Sequence, residues 1–80
     1  MRVRSYGKLA DLLGAERSID MSGPCTFADL RAKLAAECPE AAEVLANRRV
    51  MACVGDEMIP DDRLIDGDAS IELLSPVSGG

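Results

Sequence analysis

The strongest predicted helix, residues 26–38, most limits how this chain can fold. Its apolar side chains recur at the spacing of one helix face: Phe27, Leu30, Leu34 and Cys38. Charged residues flank that face: Arg31, Lys33 and Glu37. The Thr26 hydroxyl can cap the first turn by accepting from the Asp29 N–H, and Pro39 interrupts the helix. In a chain of 80 residues, the remaining elements must cover this apolar face.

Short strands are predicted on both sides of this helix. Apolar and charged residues alternate in residues 1–5, which is typical of a half-buried strand, and the apolar run 50–54 is typical of a central strand. The other predicted elements are a helix within residues 6–14, a strand over 17–21, a helical turn within 40–46, and strands over 57–59 and 70–74. This order predicts an α+β domain over residues 1–75, in which a mixed sheet wraps over one main helix, followed by a tail, residues 76–80.

The charge balance argues against several partners. Asp and Glu number 14 against 9 Lys and Arg, a net charge of −5. Nucleic acids and anionic membranes attract basic surfaces, so we expect neither as a partner, whereas a basic protein is compatible. The N-terminus lacks the pattern of a signal peptide and no apolar run reaches membrane length, so we expect a cytoplasmic protein.

The side chains needed for catalysis or metal binding are sparse. The chain has three cysteines and no histidine, which favours neither a disulfide framework nor a zinc site. We expect Cys53 to be a small buried apolar residue and Cys25, in a loop after Pro24, to be exposed. Because no nucleophile–base pair is evident, we expect no active site of its own, no bound cofactor and no metal.

The closing segment, Ser-Pro-Val-Ser-Gly-Gly, is either a frayed end or the working part of the molecule. Because glycine has no Cβ, the last two residues can pass through a narrow channel. Pro76 restricts the backbone and, together with Val77, would orient the tail. A terminal carboxylate is a poor electrophile, so its chemistry would require activation, ordinarily by ATP. Residues 76–80 extended reach about 17 Å, and ordering them costs on the order of 5–10 kcal/mol. A docking surface on the folded domain must therefore contribute to binding.

Three apolar residues are predicted to point outward near that tail. If Ile71 and Leu73 meet the helix, the alternation of a strand turns Leu74 to the other face. Only one of Met58 and its neighbour Ile59 can point inward, and Tyr6 follows the first strand. These side chains form either a partner surface or a set of scattered exposed apolar residues.

The segment L-I-D-G-D-A-S-I-E-L-L-S-P-V-S-G-G, residues 64–80, resembles the end of the small, sulfur-carrying (MoaD-like) subunit of molybdopterin synthase. In that family a leucine and a D-G-D turn precede a final apolar strand, and P-V-x-G-G closes the chain. The segments Y-G-K-L-A-D-L-L-G and T-F-A-D-L-R-A-K-L match in order, so the resemblance covers the whole chain. One departure is Ser75 before Pro76, where many members have two prolines.

The resemblance implies a ubiquitin-like β-grasp fold and a role for Gly80, with Gly79 as the second glycine of the motif. An E1-like enzyme would adenylate the Gly80 carboxylate with ATP and Mg²⁺, and a persulfide donor would convert it to a thiocarboxylate. The tail, which also contains Ser78, would enter the large catalytic subunit of molybdopterin synthase and donate sulfur to precursor Z (cyclic pyranopterin monophosphate). The expected assembly is a heterotetramer, two carriers on a dimer of large subunits. The residues that match the docking patch of the family are Tyr6, Met58 and Leu74.

Other functions share these features. A sulfur carrier for thiamin thiazole, for cysteine or for another thiolated metabolite has the same chemistry. A ubiquitin-like protein modifier uses the same adenylate but joins its glycine to a lysine. In a non-covalent adaptor, Gly79 and Gly80 would be incidental, and an extra residue after Gly80 would leave its function unchanged.

Overall fold

A five-stranded sheet and a two-stranded sheet surround the main helix in the computed structural model, which describes residues 1–47 and 49–75. The elements in chain order are β1 (Arg2–Ser5), α1 (Lys8–Leu13), β2 (Glu16–Ser18), β3 (Cys25–Thr26), α2 (Phe27–Glu37), a 3-10 turn (Pro39–Ala41), α3 (Ala42–Leu45), β4 (Met51–Val54), β5 (Glu57–Ile59), β6 (Leu64–Ile65) and β7 (Ser70–Leu74).

The main sheet has the strand order β2-β1-β7-β4-β5. Strands β1 and β7, the first and last in the chain, lie side by side and run parallel, while the other neighbours are antiparallel. The parallel pairing needs a long crossover, and α2 belongs to that crossover. Strands β3 and β6 pair separately and antiparallel.

The main helix forms as its sequence predicts. The Thr26 hydroxyl accepts from the Asp29 N–H at 3.1 Å, and the Asp29 carboxylate accepts from the Thr26 N–H at 3.1 Å, which completes a capping box. One core cluster includes side chains from this helix and from the inner face of the sheet: Val3, Phe27, Leu30, Leu34, Ala52, Ile71 and Leu73. This is the β-grasp arrangement, and the α+β class is confirmed.

The second strand ends earlier than predicted. Strand β2 ends at Ser18, the residue that pairs with Arg2, where β1 itself begins. Beyond that point only Met1 remains to pair with, and its terminal ammonium donates to the Ile19 carbonyl at 2.9 Å. Ile19 is nevertheless buried, and its N–H donates to the Met1 carbonyl at 2.8 Å.

The burial of two cysteines differs from the prediction. Cys25 is buried, because β3 pairs with β6, and burial together with the negative charge of Asp29 raises the pKa of its thiol. Cys53 is only half-buried, because the alternation along β4 turns Ala52 inward and Cys53 outward. A thiol with a raised pKa is less reactive, so Cys25 is not an activated nucleophile.

Candidate functional site

The main sheet has an outer face, turned away from the helices, on which four strands align their side chains. Arg4 is the direct partner of Glu72, and Glu72 is in turn the partner of Cys53 on β4. Cys53 is the partner of Met58 on β5. Directly paired residues point to the same face, so these four side chains form one row across β1, β7, β4 and β5.

A second row lies above the first, at the end of β7. Leu74 pairs with Met51, and Tyr6 follows β1 one step after the parallel pair Ser5 and Leu73. Tyr6 is 43% exposed, Met51 39% and Met58 58%, while Cys53 and Leu74 are half-buried. We call these five residues the outer apolar patch.

The structure therefore places the three predicted docking residues, Tyr6, Met58 and Leu74, on one face of the sheet. The prediction does not include Met51 and Cys53, because the apolar run 50–54 indicates a central strand whose two faces are not assigned. The signal was present, because alternation around an inward Ala52 turns both neighbours outward. Leu64 is also exposed, at 68%, but it belongs to the separate β3–β6 sheet.

One hydrogen bond fixes the edge of the patch. The Tyr6 hydroxyl donates to Glu72 Oε2 at 2.7 Å, joining the residue after β1 to the middle of β7. This bond raises the pKa of Tyr6 above its ordinary value of 10.0, because ionisation would lose the donated proton and place two anions side by side. The Arg4 guanidinium acts in the opposite direction on Tyr6 and lies 3.6 Å from Glu16 Oε1.

The tail begins beside the outer apolar patch. Strand β7 ends at Leu74, and Ser75 is the last described residue. Gly7, at a φ of 61°, a backbone conformation that favours glycine, lies so close that a Cβ there would stand 3.4 Å from Ser75 Oγ. The predicted tail residues lie outside the described residues: Pro76, Val77, Ser78, Gly79 and Gly80.

Within residues 1–47 and 49–75, no group of three or more metal-ligating Cys, Asp or Glu side chains is gathered. No helix in this described part has the length and apolar character required to cross a membrane. What the described surface does present is an apolar patch that ends next to Ser75, with a composition suited to binding a partner.

Comparison with known proteins places the chain in a family. Among solved structures, SAMP1 from Haloferax volcanii superposes with a TM-score of 0.81 at 20% identity, covering 99% of this chain and 97% of that chain. At this identity the likeness concerns the fold. No curated protein sequence matches the chain closely. Residues 3–80 match the ThiS family, which is nearly the whole sequence, and the chain therefore belongs to the ThiS family.

Proposed function

We propose that this chain carries sulfur as a thiocarboxylate on Gly80 and donates it to precursor Z as the small subunit of molybdopterin synthase. The observation that carries the proposal is the family match through residue 80 in a chain whose sequence closes with P-V-S-G-G. The outer apolar patch supports it, because Leu74 lies two residues before the first tail residue, Pro76.

The chemistry begins with an unreactive group. A carboxylate resists nucleophiles, so an E1-like activating enzyme must join the Gly80 carboxylate to the AMP part of ATP, with Mg²⁺ and release of pyrophosphate. A persulfide sulfur then displaces AMP, and a thiol cleaves the resulting sulfur–sulfur bond to leave the thiocarboxylate. In this proposal the activating enzyme and the sulfur donor supply the reactive groups, and this chain supplies the Gly80 carboxylate that they modify.

Docking supplies the binding energy that the tail lacks. Threading residues 76–80 into a pocket costs on the order of 5–10 kcal/mol of ordering entropy, which two glycines and a valine do not recover. Burial of the exposed side chains of Tyr6, Met51 and Met58 against a partner contributes about 25 cal/mol per Å² of apolar surface. The proposed partners at this patch are the activating enzyme and the large subunit of the synthase, the latter in a heterotetramer.

The test of this function is conversion of precursor Z by the thiocarboxylated chain together with a large subunit of molybdopterin synthase. The proposal predicts formation of molybdopterin, with loss of activity on deletion of Gly80 and no change in the unfolding temperature. A thiocarboxylated chain that leaves precursor Z unchanged, with a known small subunit active in parallel, would contradict the assignment to this pathway.

The alternative carriers and the modifier share adenylation of Gly80 and differ in the molecule that accepts the sulfur or the glycine. A carrier for thiamin thiazole or cysteine would form the thiocarboxylate and transfer sulfur to another substrate. A ubiquitin-like modifier would instead yield an isopeptide between Gly80 and a lysine, and the likeness to SAMP1 at 20% identity supports carrier and modifier equally. Mass analysis of target proteins for a covalently attached chain distinguishes the modifier from every carrier.

A further inference from the structure

We propose that Glu72 is a positioning residue, which acts through Tyr6 to hold the outer apolar patch in the shape that the activating enzyme binds. The inference rests on the proposed function and adds to it a residue outside the predicted docking set. Glu72 itself is half-buried in the middle of β7, between the strand partners Arg4 and Cys53.

The need for a positioning residue follows from where Tyr6 lies. Tyr6 comes after the last residue of β1 and before Gly7, whose φ of 61° turns the chain away from the sheet. The strand ladder therefore ends at Ser5, the last β1 residue with a β7 partner. The 2.7 Å bond to Glu72 Oε2 ties the ring back to β7, below Leu74.

The neighbouring charges leave Glu72 available for this role. Arg4 lies beside Glu72 in the sheet, but its Nε approaches Glu16 Oε1 at 3.6 Å. Arg2 approaches the same Glu16 oxygen at 3.8 Å. The two arginines thus share Glu16 at the β1–β2 side of the face, while Glu72 accepts from Tyr6 at the β7 side.

The expected effect falls on binding rather than on folding. An exposed hydrogen bond contributes little to stability, because water competes for both groups. Holding one aromatic ring in its bound orientation, however, removes an ordering cost that the complex would otherwise incur. Removal of Glu72 should therefore raise the KM of the activating enzyme for this chain roughly two- to tenfold and leave kcat unchanged.

The titration of Tyr6 measures the hydrogen bond to Glu72 directly. Tyr6 is the only tyrosine and the chain has no tryptophan, so tyrosinate absorbance reports this residue alone. The charged groups that act on it are Glu72 and Arg4. Glu72→Ala should lower the pKa of Tyr6 from its raised value, whereas Glu57→Ala should not. Glu57 is the matched control, an exposed glutamate that accepts from Arg63 at 2.7 Å.

The decisive experiment measures KM and kcat for thiocarboxylate formation with Glu72→Ala, Tyr6→Phe, the double variant and Glu57→Ala. We expect each single variant to raise KM, the double variant to add little to the larger single effect, and Glu57→Ala to match the wild type. Independent, additive effects, or a Glu72→Ala variant with wild-type KM, would overturn the inference. If the wild-type chain itself gains no sulfur, the proposed function has failed instead, and that outcome is distinguishable from a variant without effect.

Discussion

Met51 on β4 and Leu74, the last residue of β7, lie directly opposite each other on the outer face of the sheet. Their pairing extends the apolar surface from the root of the tail across to β4 and, through Cys53, to Met58 on β5. The strand register sets which of these side chains are neighbours on that face.

The first prediction concerns this patch. Met58→Asp should weaken binding to the activating enzyme by about fivefold or more, because a charge replaces an exposed apolar contact. Leu64→Asp is the matched control, since Leu64 is even more exposed but lies on the separate two-stranded sheet. Titration calorimetry with both variants checks the prediction. Equal losses of affinity would show that the patch has no special role.

The second prediction concerns the D-G-D turn. A Cβ on Gly67 would stand 3.1 Å from the Gly23 carbonyl oxygen and 3.3 Å from that of Met21, so two loops pack backbone to backbone. Gly67→Ala should lower the free energy of unfolding by about 1–3 kcal/mol. Asp68→Ala, at an exposed neighbour in the same turn, should change it by less than about 0.5 kcal/mol. Urea denaturation measures both, and an unaffected Gly67→Ala variant would contradict the close packing.

The third prediction concerns the start of the main helix. Thr26→Ala removes the acceptor for the Asp29 N–H and should cost about 1 kcal/mol of stability. Thr26→Ser retains a hydroxyl and should recover most of that loss. The two variants are compared by thermal unfolding followed by circular dichroism, and equal melting temperatures for Ala and Ser would argue against the cap.

The fourth prediction concerns Arg31, whose guanidinium lies 4.3 Å from the centre of the Phe27 ring. Its side chain is 14% exposed. It donates to four acceptors later in the chain: the Leu45, Asn47 and Val50 carbonyls and Asp61 Oδ1. Arg31→Met should cost about 2–4 kcal/mol, because several acceptors lose their donor at once.

The control for Arg31 lies two residues later on the same helix. Lys33 is an exposed helix residue whose ammonium approaches Glu37 Oε2 at 3.9 Å, and Lys33→Met should change stability by about 0.5 kcal/mol or less. If Arg31→Met proves as mild as Lys33→Met in denaturant unfolding, the hydrogen bonds of Arg31 do not hold the loop before β4.

Pattern-based prediction succeeded where many residues repeat one spacing. The cap, length and buried face of α2 follow from Thr26, Asp29 and the apolar stripe, and the alternation in β7 correctly separates Leu73 from Leu74. Strands β3 and β6 have only two residues each, too few to show a period. Their existence depends on pairing between distant segments, which also buries Cys25.

In the candidate site, too, some features follow from local sequence patterns and others depend on contacts between distant segments. Strand alternation predicts which residues point outward, but the distances between them depend on strand order, and β7 lies between β1 and β4 only because the chain crosses over. The sequence pattern places Arg31 on the flank of the helix, but its long side chain reaches carbonyls of the later loop, a contact that no local pattern predicts. The role proposed for Gly80 rests on family resemblance, because no repeating pattern of residues predicts the chemistry of a single glycine.

The most direct measurement is the intact mass of the protein after incubation with ATP, a cognate activating enzyme and a sulfur donor. The Gly80 proposal predicts a mass gain equal to one oxygen replaced by sulfur in the wild-type chain. It predicts no gain in a folded variant lacking Gly80. An unchanged wild-type mass, with the same enzyme active on a known carrier, would contradict sulfur transfer to Gly80.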